Sequence, residues 1–178
     1  VKLLQQIDDE HVFNLDKYKE AGKIATSVLT KMKEHIQVGK SVLELCKSSD
    51  AFIKQELSTV YTDKFFETGI AFPTCISVNN TAGYFSPCTK EQDYIIQDGD
   101  LVKIELGVHI DGFPVILSES LMVGEPNEKQ QQVLTCIQKM REAVEKQMRI
   151  GKTSLSVSIL LSEIAKQHQL SDGDWVWV

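Results

Sequence analysis

Residues 98–120, DGDLVKIELGVHIDGFPVILSES, constrain the fold more than any other stretch of this chain. Apolar residues alternate along the run that leads to Asp111-Gly112, and a second extended run follows that pair. An Asp-Gly pair between two such runs is typical of a tight two-residue turn, which needs positive φ. The sequence therefore predicts a β-hairpin with strands at 101–109 and 113–123.

A hairpin of this kind is able to carry carboxylates into a metal site, because side chains two residues apart on a strand share a face. The second strand, however, has no acid where such a site would need one and offers Ile116 instead. The hairpin therefore belongs either to part of a working metalloenzyme or to a protein that keeps the fold of one without its metal ligands.

Two helices are predicted before the strands. Apolar or small residues recur at helical spacing across 15–37, and Gly39 breaks the pattern. Ser41 followed by Glu44 is a capping box at the start of the second helix. The two predicted buried stripes are Leu15, Tyr18, Gly22, Ala25, Leu29, Met32 and Ile36, and then Val42, Leu45, Cys46, Ile53 and Leu57.

The remaining pattern places strands in the middle of the chain and two more helices after them. Segment 70–79 is rich in β-forming residues, and Tyr84-Phe85 are predicted to start a short strand. A third helix ends near Gly151, and Thr153 or Ser154 caps a fourth. The predicted buried positions of these helices are Val133, Ile137, Met140, Val144, Leu155, Ile159, Leu160 and Ile164. Helices grouped at both ends of a strand cluster indicate the α+β class.

Composition limits the classes of protein to which the chain can belong. It has 178 residues, of which 42% are hydrophobic and 25% charged, and its formal net charge is −6. These values are typical of one globular domain with a sizeable core. No apolar run approaches the roughly 20 residues that a membrane span needs. Four scattered cysteines without zinc-ligand spacing predict free thiols in a reducing compartment: Cys46, Cys75, Cys88 and Cys136.

The charge pattern argues against a strong general affinity for nucleic acid, which rests on Lys and Arg contacts to phosphate. One locally basic segment lies in the first helix and contains Lys17, Lys19, Lys23, Lys31 and Lys33. We interpret it as a solvated helix face, and a phosphate-binding face is the alternative.

Two stretches carry a resemblance to a known family, GIAFPTCISVNNTAGYFSP at 69–87 and DGDLVKIELGVHIDGF at 98–113. Together they resemble the methionine aminopeptidase-like, or pita-bread, metallopeptidases. Within that family they are most similar to the proliferation-associated, ErbB-receptor-binding branch, which is regarded as lacking peptidase activity. The resemblance implies the first half of a pita-bread fold. We accordingly predict an N-terminal extension at 1–14, a partial aminopeptidase-like domain at 15–171 and a truncated tail at 172–178.

The resemblance also implies that three positions of the family's active site are degenerate here. Tyr84 stands where active members have a histidine near the substrate, and Glu105 stands where they have a metal-ligating aspartate. Ile116 stands where they have a second, bidentate aspartate. An alkyl group has no donor atom, a neutral phenol does not supply histidine's proton-transfer range, and the extra methylene of glutamate displaces its carboxylate. No catalytic residue, metal site or cofactor is therefore predicted.

Other residues that attract attention have structural interpretations. Glu105 is expected to be an interior carboxylate with a hydrogen-bond partner, since an unpartnered one would be costly to bury. His109 is expected to be a hydrogen-bonded structural histidine, and Asp111 is expected to serve the turn. Cys75 has no histidine near it in sequence to activate its thiol, so it is not predicted to be a nucleophile.

Three functions stay open from the sequence. The first is a non-catalytic binding protein with protein partners, for which the resemblance implies ribosome or RNA association and growth-related control of transcription and translation in cytoplasm, nucleus and nucleolus. The second is an active metal-dependent aminopeptidase. The third is a truncated or divergent product without independent function, whose uncovered apolar surface would favour oligomerisation. We predict the first.

Overall fold

A computed structural model describes the backbone of residues 2–62 and 67–168 and the side chains of residues 15–62 and 67–168. The helices and strands are α1 (Lys2–His35), α2 (Val42–Leu57), β1 (Thr68–Val78), β2 (Leu101–Ile110), β3 (Phe113–Met122), α3 (Glu128–Gln147) and α4 (Ser154–Gln167). The predicted α+β organisation is confirmed. The tail at 172–178 lies outside the described residues, and the domain boundaries stay predictions.

The three strands form one antiparallel sheet in the order β1-β2-β3. β2 and β3 make the predicted hairpin, in which Asp111 has a φ of 54° and Gly112 a φ of 76°. Positive φ at both turn residues matches the twist of the flanking strands. β1 begins at Thr68, and Pro73 lies where its pairing with β2 is irregular. A proline is tolerated at such a bulge because the bulged residue donates no ladder hydrogen bond.

One face of the sheet packs against α1 and α2 and forms the core. Alternate residues of β2 point into this core, and all of them are buried: Val102, Ile104, Leu106, Val108 and Ile110. The predicted stripe of α2 packs there as well and is confirmed. Because successive side chains of a strand alternate, Lys103, Glu105 and His109 point to the opposite face. The chemistry-bearing residues of the hairpin therefore lie away from the helices.

The first helix differs from its prediction in two ways. It begins at Lys2 rather than at residue 15, and Leu15 and Tyr18 are 52% and 41% exposed. The later stripe residues Ala25, Leu29, Met32 and Ile36 are buried as predicted. At the start of the stripe Lys17 is buried instead, because it reaches the carboxylate of Asp111 in the hairpin turn and its stem packs against the sheet. The buried residues of the helix are Lys17, Ala21, Ile24, Ala25, Val28, Leu29 and Met32.

The cap of α2 involves a residue that is distant in sequence. Ser41 Oγ accepts a hydrogen bond from the backbone N–H of Glu44 at 3.1 Å, as the capping motif predicts. The same hydroxyl donates to Asp93 Oδ2 at 2.6 Å, and Asp93 Oδ1 accepts from the N–H of Leu43 at 2.9 Å. The start of α2 is thus held by the loop that leads into β2, because Asp93 satisfies a helix N–H that has no partner within the helix.

The short strand predicted at Tyr84-Phe85 is wrong, because this segment is an irregular loop. Tyr84 has a left-handed φ of 57°, which interrupts an extended chain. The carbonyl of Phe85 accepts from the N–H of Ile76 at 2.8 Å, but the N–H of Phe85 donates to the side chain of Ser77 at 3.2 Å. A side-chain acceptor replaces the second ladder bond, so the loop lies along β1 without joining the sheet.

Helices α3 and α4 pack principally against each other. α3 ends at Gln147, several residues before the predicted end, and Thr153 rather than Ser154 caps α4. The predicted stripe of α3 is only half-buried, and Leu155 and Ile159 of α4 are 66% and 51% exposed. Like the other described helices, neither combines the length and apolar content that a bilayer crossing requires.

Candidate functional site

The face of the sheet that points away from α1 and α2 carries two of the positions singled out by the sequence. Glu105 of β2 pairs with Cys75 on β1 and with Ser118 on β3. Ile116 of β3 pairs with Gly107, two residues farther along β2. Glu105 and Ile116 therefore lie diagonally on one surface. We call this surface, defined by Glu105, Gly107, Ile116 and Ser118, the open face.

The carboxylate of Glu105 is bound to the backbone of loop 79–88. Its Oε2 accepts a hydrogen bond from the N–H of Tyr84 at 3.1 Å. A Cβ atom on Gly83 would lie 3.5 Å from the same oxygen, so the loop backbone runs directly against the carboxylate. Glu105 thus has the hydrogen-bond partner that the sequence analysis expected of an interior carboxylate.

Tyr84 contributes to the site through its backbone. Its side chain is 81% exposed, while its N–H points to Glu105. The left-handed backbone of Tyr84 turns the N–H toward the sheet and the phenol toward solvent. Tyr84, which the sequence analysis predicts to replace a catalytic histidine, therefore acts here as a hydrogen-bond donor from the main chain.

Ile116 leaves its end of the open face apolar. Its side chain is 59% exposed and lies opposite Gly107. A Cβ atom on Gly107 would come within 2.9 Å of the Phe72 ring, so this ring packs against the glycine. Sequence analysis missed Phe72 because the irregular pairing of β1 around it breaks the simple alternation of faces.

Lys103 is a second residue of this region that sequence analysis missed. It points to the same side of β2 as Glu105, is 7% exposed, and donates from Nζ to the carbonyl of Asn79 at 2.7 Å. Burial lowers the pKa of Lys103, and the nearby Glu105 carboxylate opposes that shift. The spacing of Lys103 and Glu105 along a strand was the available signal, because residues two apart share a face.

The Cys75 thiol lies beside Glu105 but is poorly suited to nucleophilic chemistry. It is buried, and its Sγ donates to the carbonyl of Pro73 at 3.3 Å. Burial raises the pKa of Cys75, and the carboxylates of Glu105 and Asp50 raise it further. A raised pKa disfavours the thiolate, which is the reactive form. All four cysteines are free thiols, and Cys88 is the exposed one.

His109 departs from its predicted environment. Its Nδ1 is buried and has no hydrogen-bond partner among the described residues, so the prediction of a hydrogen-bonded histidine is wrong for this atom. A Cβ atom on Gly69 would come within 2.8 Å of Nε2, which shows that the ring packs closely on β1. The imidazole is held by close packing against β1 at Gly69, which has no side chain.

The basic segment of α1 is neutralised by carboxylates. Each of its lysines has an acidic partner: Lys17 with Asp111, Lys19 with Asp16, Lys23 with Glu20, Lys31 with Glu56, and Lys33 with Glu119. A hydrogen bond from Lys31 lowers the pKa of Glu56 despite its partial burial. A phosphate group would have to displace these carboxylates, so the arrangement supports a solvated helix face rather than a phosphate-binding one.

The donor set of the open face does not fit a pair of divalent metal ions. Ile116 has no donor atom, Glu105 is the one carboxylate among the residues that define the open face, and the Lys103 ammonium on the same side of β2 brings a positive charge. Within the described residues, no group of three or more His, Cys, Asp or Glu side chains is arranged to hold a metal ion. The two charged side chains instead fasten loop 79–88 to β2, Lys103 at the start of the loop and Glu105 near its middle.

Comparison with known proteins shows which family this chain is similar to. The sequence profile of metallopeptidase family M24 matches residues 16–174. The chain is 33% identical to ErbB-3 binding protein 1 of Arabidopsis thaliana over 156 aligned residues. The aligned region covers 85% of this chain and 40% of that protein. It is 34% identical over 160 residues to proliferation-associated protein A of Dictyostelium discoideum, covering 86% and 41%.

A solved structure shows the same fold. The structure of a thermophilic Arx1 matches with a TM-score of 0.74 at 24% identity, over 88% of this chain and 49% of that one. The chain therefore has about half of a pita-bread fold, and it spans about 40% of the length of the two relatives. The predicted family is confirmed: this chain belongs to metallopeptidase family M24 and is related to its ErbB-3-binding and proliferation-associated members.

Proposed function

We propose that this chain is a non-catalytic binding protein built on a peptidase fold. One observation carries the proposal: two charged residues on this side of β2 bind the protein's own backbone, Glu105 through the N–H of Tyr84 and Lys103 through the carbonyl of Asn79. With Ile116 in place of a carboxylate, this region lacks the negative charge that two divalent ions need in a partly dry site. The fold is kept, and the ligand positions serve structure.

The relatives support a role in binding. One of them is named an ErbB-3 binding protein and another a proliferation-associated protein. Because the chain spans about 40% of each, the activities and partners of the whole proteins come to it as part of this proposal. We infer a regulatory role in growth control, with protein partners, in the cytoplasm and the nucleus.

Ribosome association is the specific form of this role that the family resemblance favours. The net charge of −6 and the ion-paired lysines of α1 disfavour a contact that rests on RNA phosphates. The chain is therefore proposed to contact ribosomal or ribosome-bound proteins rather than bare RNA.

The absence of peptidase chemistry is tested by calorimetric titration with Mn²⁺ and Co²⁺, followed by a methionyl-peptide hydrolysis assay on the same sample. We expect no stoichiometric binding and no turnover. The Glu105→Gln variant, which keeps an acceptor for the Tyr84 N–H, should be indistinguishable from the parent. Binding of about two ions per chain with turnover, both lost in Glu105→Gln, would show a working two-metal site on the open face.

The binding role is tested by co-sedimentation with purified ribosomes and, separately, with deproteinised ribosomal RNA. We expect the chain to pellet with ribosomes at both low and raised salt and to stay in solution with the RNA. A Lys19→Gln/Lys23→Gln variant should behave as the parent, since both lysines are already paired with acids. Retention by RNA that falls steeply with salt would point to phosphate contacts instead, and no retention by ribosomes would contradict the proposal.

A further inference from the structure

We propose that the connection between α3 and α4 is a binding site for an extended segment of a protein partner, in which an aspartate is followed by aromatic and aliphatic residues. A repeat in the chain carries this proposal, because the first of its two copies binds such a segment of this protein itself. The open face plays no part in the site, so a failure here would leave the proposed non-catalytic role untouched.

The two connections between paired helices repeat a sequence pattern. Residues 36–43 read IQVGKSVL and join α1 to α2, and residues 148–155 read MRIGKTSL and join α3 to α4. We call them the first and the second connection. In both, apolar residues at the first and third positions precede Gly-Lys, and a hydroxyl-bearing residue then caps the next helix. A shared pattern of this kind predicts a shared path of the backbone.

The backbone of the two connections is indeed alike. Gly39 and Gly151 have left-handed φ values of 83° and 87°. The lysine after each glycine donates its N–H to the carbonyl three residues earlier, at 3.2 Å in the first connection and 3.0 Å in the second. Ser41 Oγ and Thr153 Oγ1 each accept from the N–H three residues later, at 3.1 and 3.2 Å. Equivalent residues therefore present equivalent backbone groups.

The first connection uses its remaining backbone groups to bind an extended segment, DYII at 93–96. The N–H of Gly39 donates to the carbonyl of Ile96 at 2.8 Å, and the carbonyl of the following lysine accepts from the N–H of the same isoleucine at 2.9 Å. The N–H of Val42 donates to the carbonyl of Tyr94 at 2.9 Å. These main-chain bonds add the segment to the connection in the manner of a β-strand.

Side chains of the segment complete the contact at both ends of the connection. Asp93 accepts from the hydroxyl of Ser41 at 2.6 Å and from the N–H of Leu43 at 2.9 Å, where the positive end of the α2 dipole favours a carboxylate. At the other end, Ile36 is 5% exposed and belongs to the same core cluster as Ile96. The first connection thus binds one carboxylate together with apolar side chains.

The second connection presents the same groups without a partner in the part of the chain that the structure describes. No described residue bonds to the N–H of Gly151, of Ser154 or of Leu155. These three N–H groups correspond to the three that hold residues 93–96 at the first connection. A segment of the same chemistry would satisfy all three.

A groove of about 670 Å³ lies beside these groups and fits such a segment in charge and in polarity. Its lining includes the exposed apolar residues Met148 and Ile150 and the basic residues Arg149 and Lys152. Met148 is 64% exposed, although its counterpart Ile36 is buried. Neither basic side chain has a carboxylate partner among the described residues. Two positive charges favour an aspartate, and the apolar side chains favour the residues that follow it.

A partner protein fits this groove better than a second copy of the chain. In a second copy, residues 93–96 are already bound to that copy's own first connection. Their release would leave N–H groups of α2 without acceptors. Two copies with a net charge of −6 also repel each other. A segment of the same chemistry from a partner protein meets neither obstacle.

The test is an NMR titration of the ¹⁵N-labelled full chain with a capped synthetic peptide of residues 91–98, EQDYIIQD. We expect saturable binding with a dissociation constant on the order of 0.1 mM. The amide shifts that change should be those of Gly151, Ser154 and Leu155. An Asp93→Ala peptide should bind at least about fivefold more weakly, because it lacks the carboxylate that the helix start and the basic side chains favour.

A proline variant separates loss of binding from loss of folding. Ser154→Pro removes one of the three N–H donors at the first position of α4, where a helix tolerates proline well. It should weaken binding at least about tenfold. Ser154→Ala keeps the N–H and should bind the peptide as the parent does. Circular dichroism and thermal unfolding check that both variants keep the fold.

Several outcomes would overturn the proposal. One is the lack of saturable binding up to about 2 mM peptide. Another is binding that Ser154→Pro leaves unchanged. Shift changes confined to residues 36–43 would mean that the peptide only displaces the chain's own segment from the first connection. A mass that doubles with concentration in sedimentation velocity, and does so no longer in Ser154→Pro, would assign the groove to a second copy instead.

Discussion

At the scale of single residues, the contact between Lys17 and Asp111 is the strongest candidate for a large effect on stability. The Lys17 side chain is 4% exposed and that of Asp111 is 40% exposed. Asp111→Asn keeps a residue that tolerates the left-handed turn but removes the charge facing a buried ammonium. We expect the free energy of unfolding to fall by about 1–3 kcal/mol, measured by urea denaturation at neutral pH.

The matched control is the same substitution in an exposed pair. Asp16 lies 3.8 Å from Lys19, and both side chains are more than half exposed. Asp16→Asn should therefore change stability by no more than about 0.5 kcal/mol. Equal losses in the two variants would mean that the burial of Lys17 has no energetic consequence.

Residue-level prediction succeeded where the sequence neighbours decide the outcome. Asp111 serves the turn because Gly112 follows it and two extended runs flank it. Lys103 was missed because a lysine in an alternating strand normally faces solvent. It is buried here by loop 79–88, which folds over the strand through contacts that join distant residues. The residues next to Lys103 in the sequence do not indicate that loop 79–88 will cover it.

At the scale of secondary-structure elements, two glycines separate backbone conformation from packing. Gly22 lies within α1 and Gly112 in the hairpin turn, and a Cβ atom would meet nothing within 4 Å at either. Gly112 has a φ of 76°, whereas Gly22 is helical. Gly22→Ala should stabilise the protein by about 0.5–1 kcal/mol, and Gly112→Ala should destabilise it by about 1–2 kcal/mol.

Thermal and urea unfolding of the two variants check this opposition of sign. A loss of stability at Gly22 would contradict the prediction, because no atom lies within 4 Å of the added methyl group. A neutral result at Gly112 would show that the turn relaxes to negative φ without disturbing the register of β2 and β3.

The elements that were predicted well are those with strong local signals. The hairpin has alternation and an Asp-Gly turn, and α2 has a cap and a complete apolar stripe. Tyr84-Phe85 has β-forming side chains but a left-handed backbone, set by the bond from Tyr84 to Glu105. The start of the buried face of α1 also depended on a distant residue, because Lys17 is drawn inward by Asp111. In both cases a tertiary contact overrode the local pattern.

At the scale of the whole molecule, the structure contains two regions of unequal burial. α1, α2 and the sheet share one core cluster that includes residues from Ala21 to Val123. The helical pair α3 and α4 contributes Cys136 and Ala165 as its buried residues. Large apolar side chains are exposed at the connection between these helices and in α4: Met148, Ile150, Leu155 and Ile159. Because α3 and α4 bury fewer residues, we expect them to unfold locally at a lower free energy than α1, α2 and the sheet.

Hydrogen exchange should therefore distinguish the two regions. We expect backbone amides of α3 and α4 to exchange at least about tenfold faster than those of β2, because local opening of the helical pair uncovers few buried contacts. Peptide-level exchange followed by mass spectrometry measures this, with β2 as the internal reference. Cys136→Ser places a hydroxyl at the most buried position of α3 and should accelerate exchange in both helices while leaving β2 unchanged. Protection of α3 and α4 equal to that of β2 would show instead that the whole chain unfolds as a single cooperative unit.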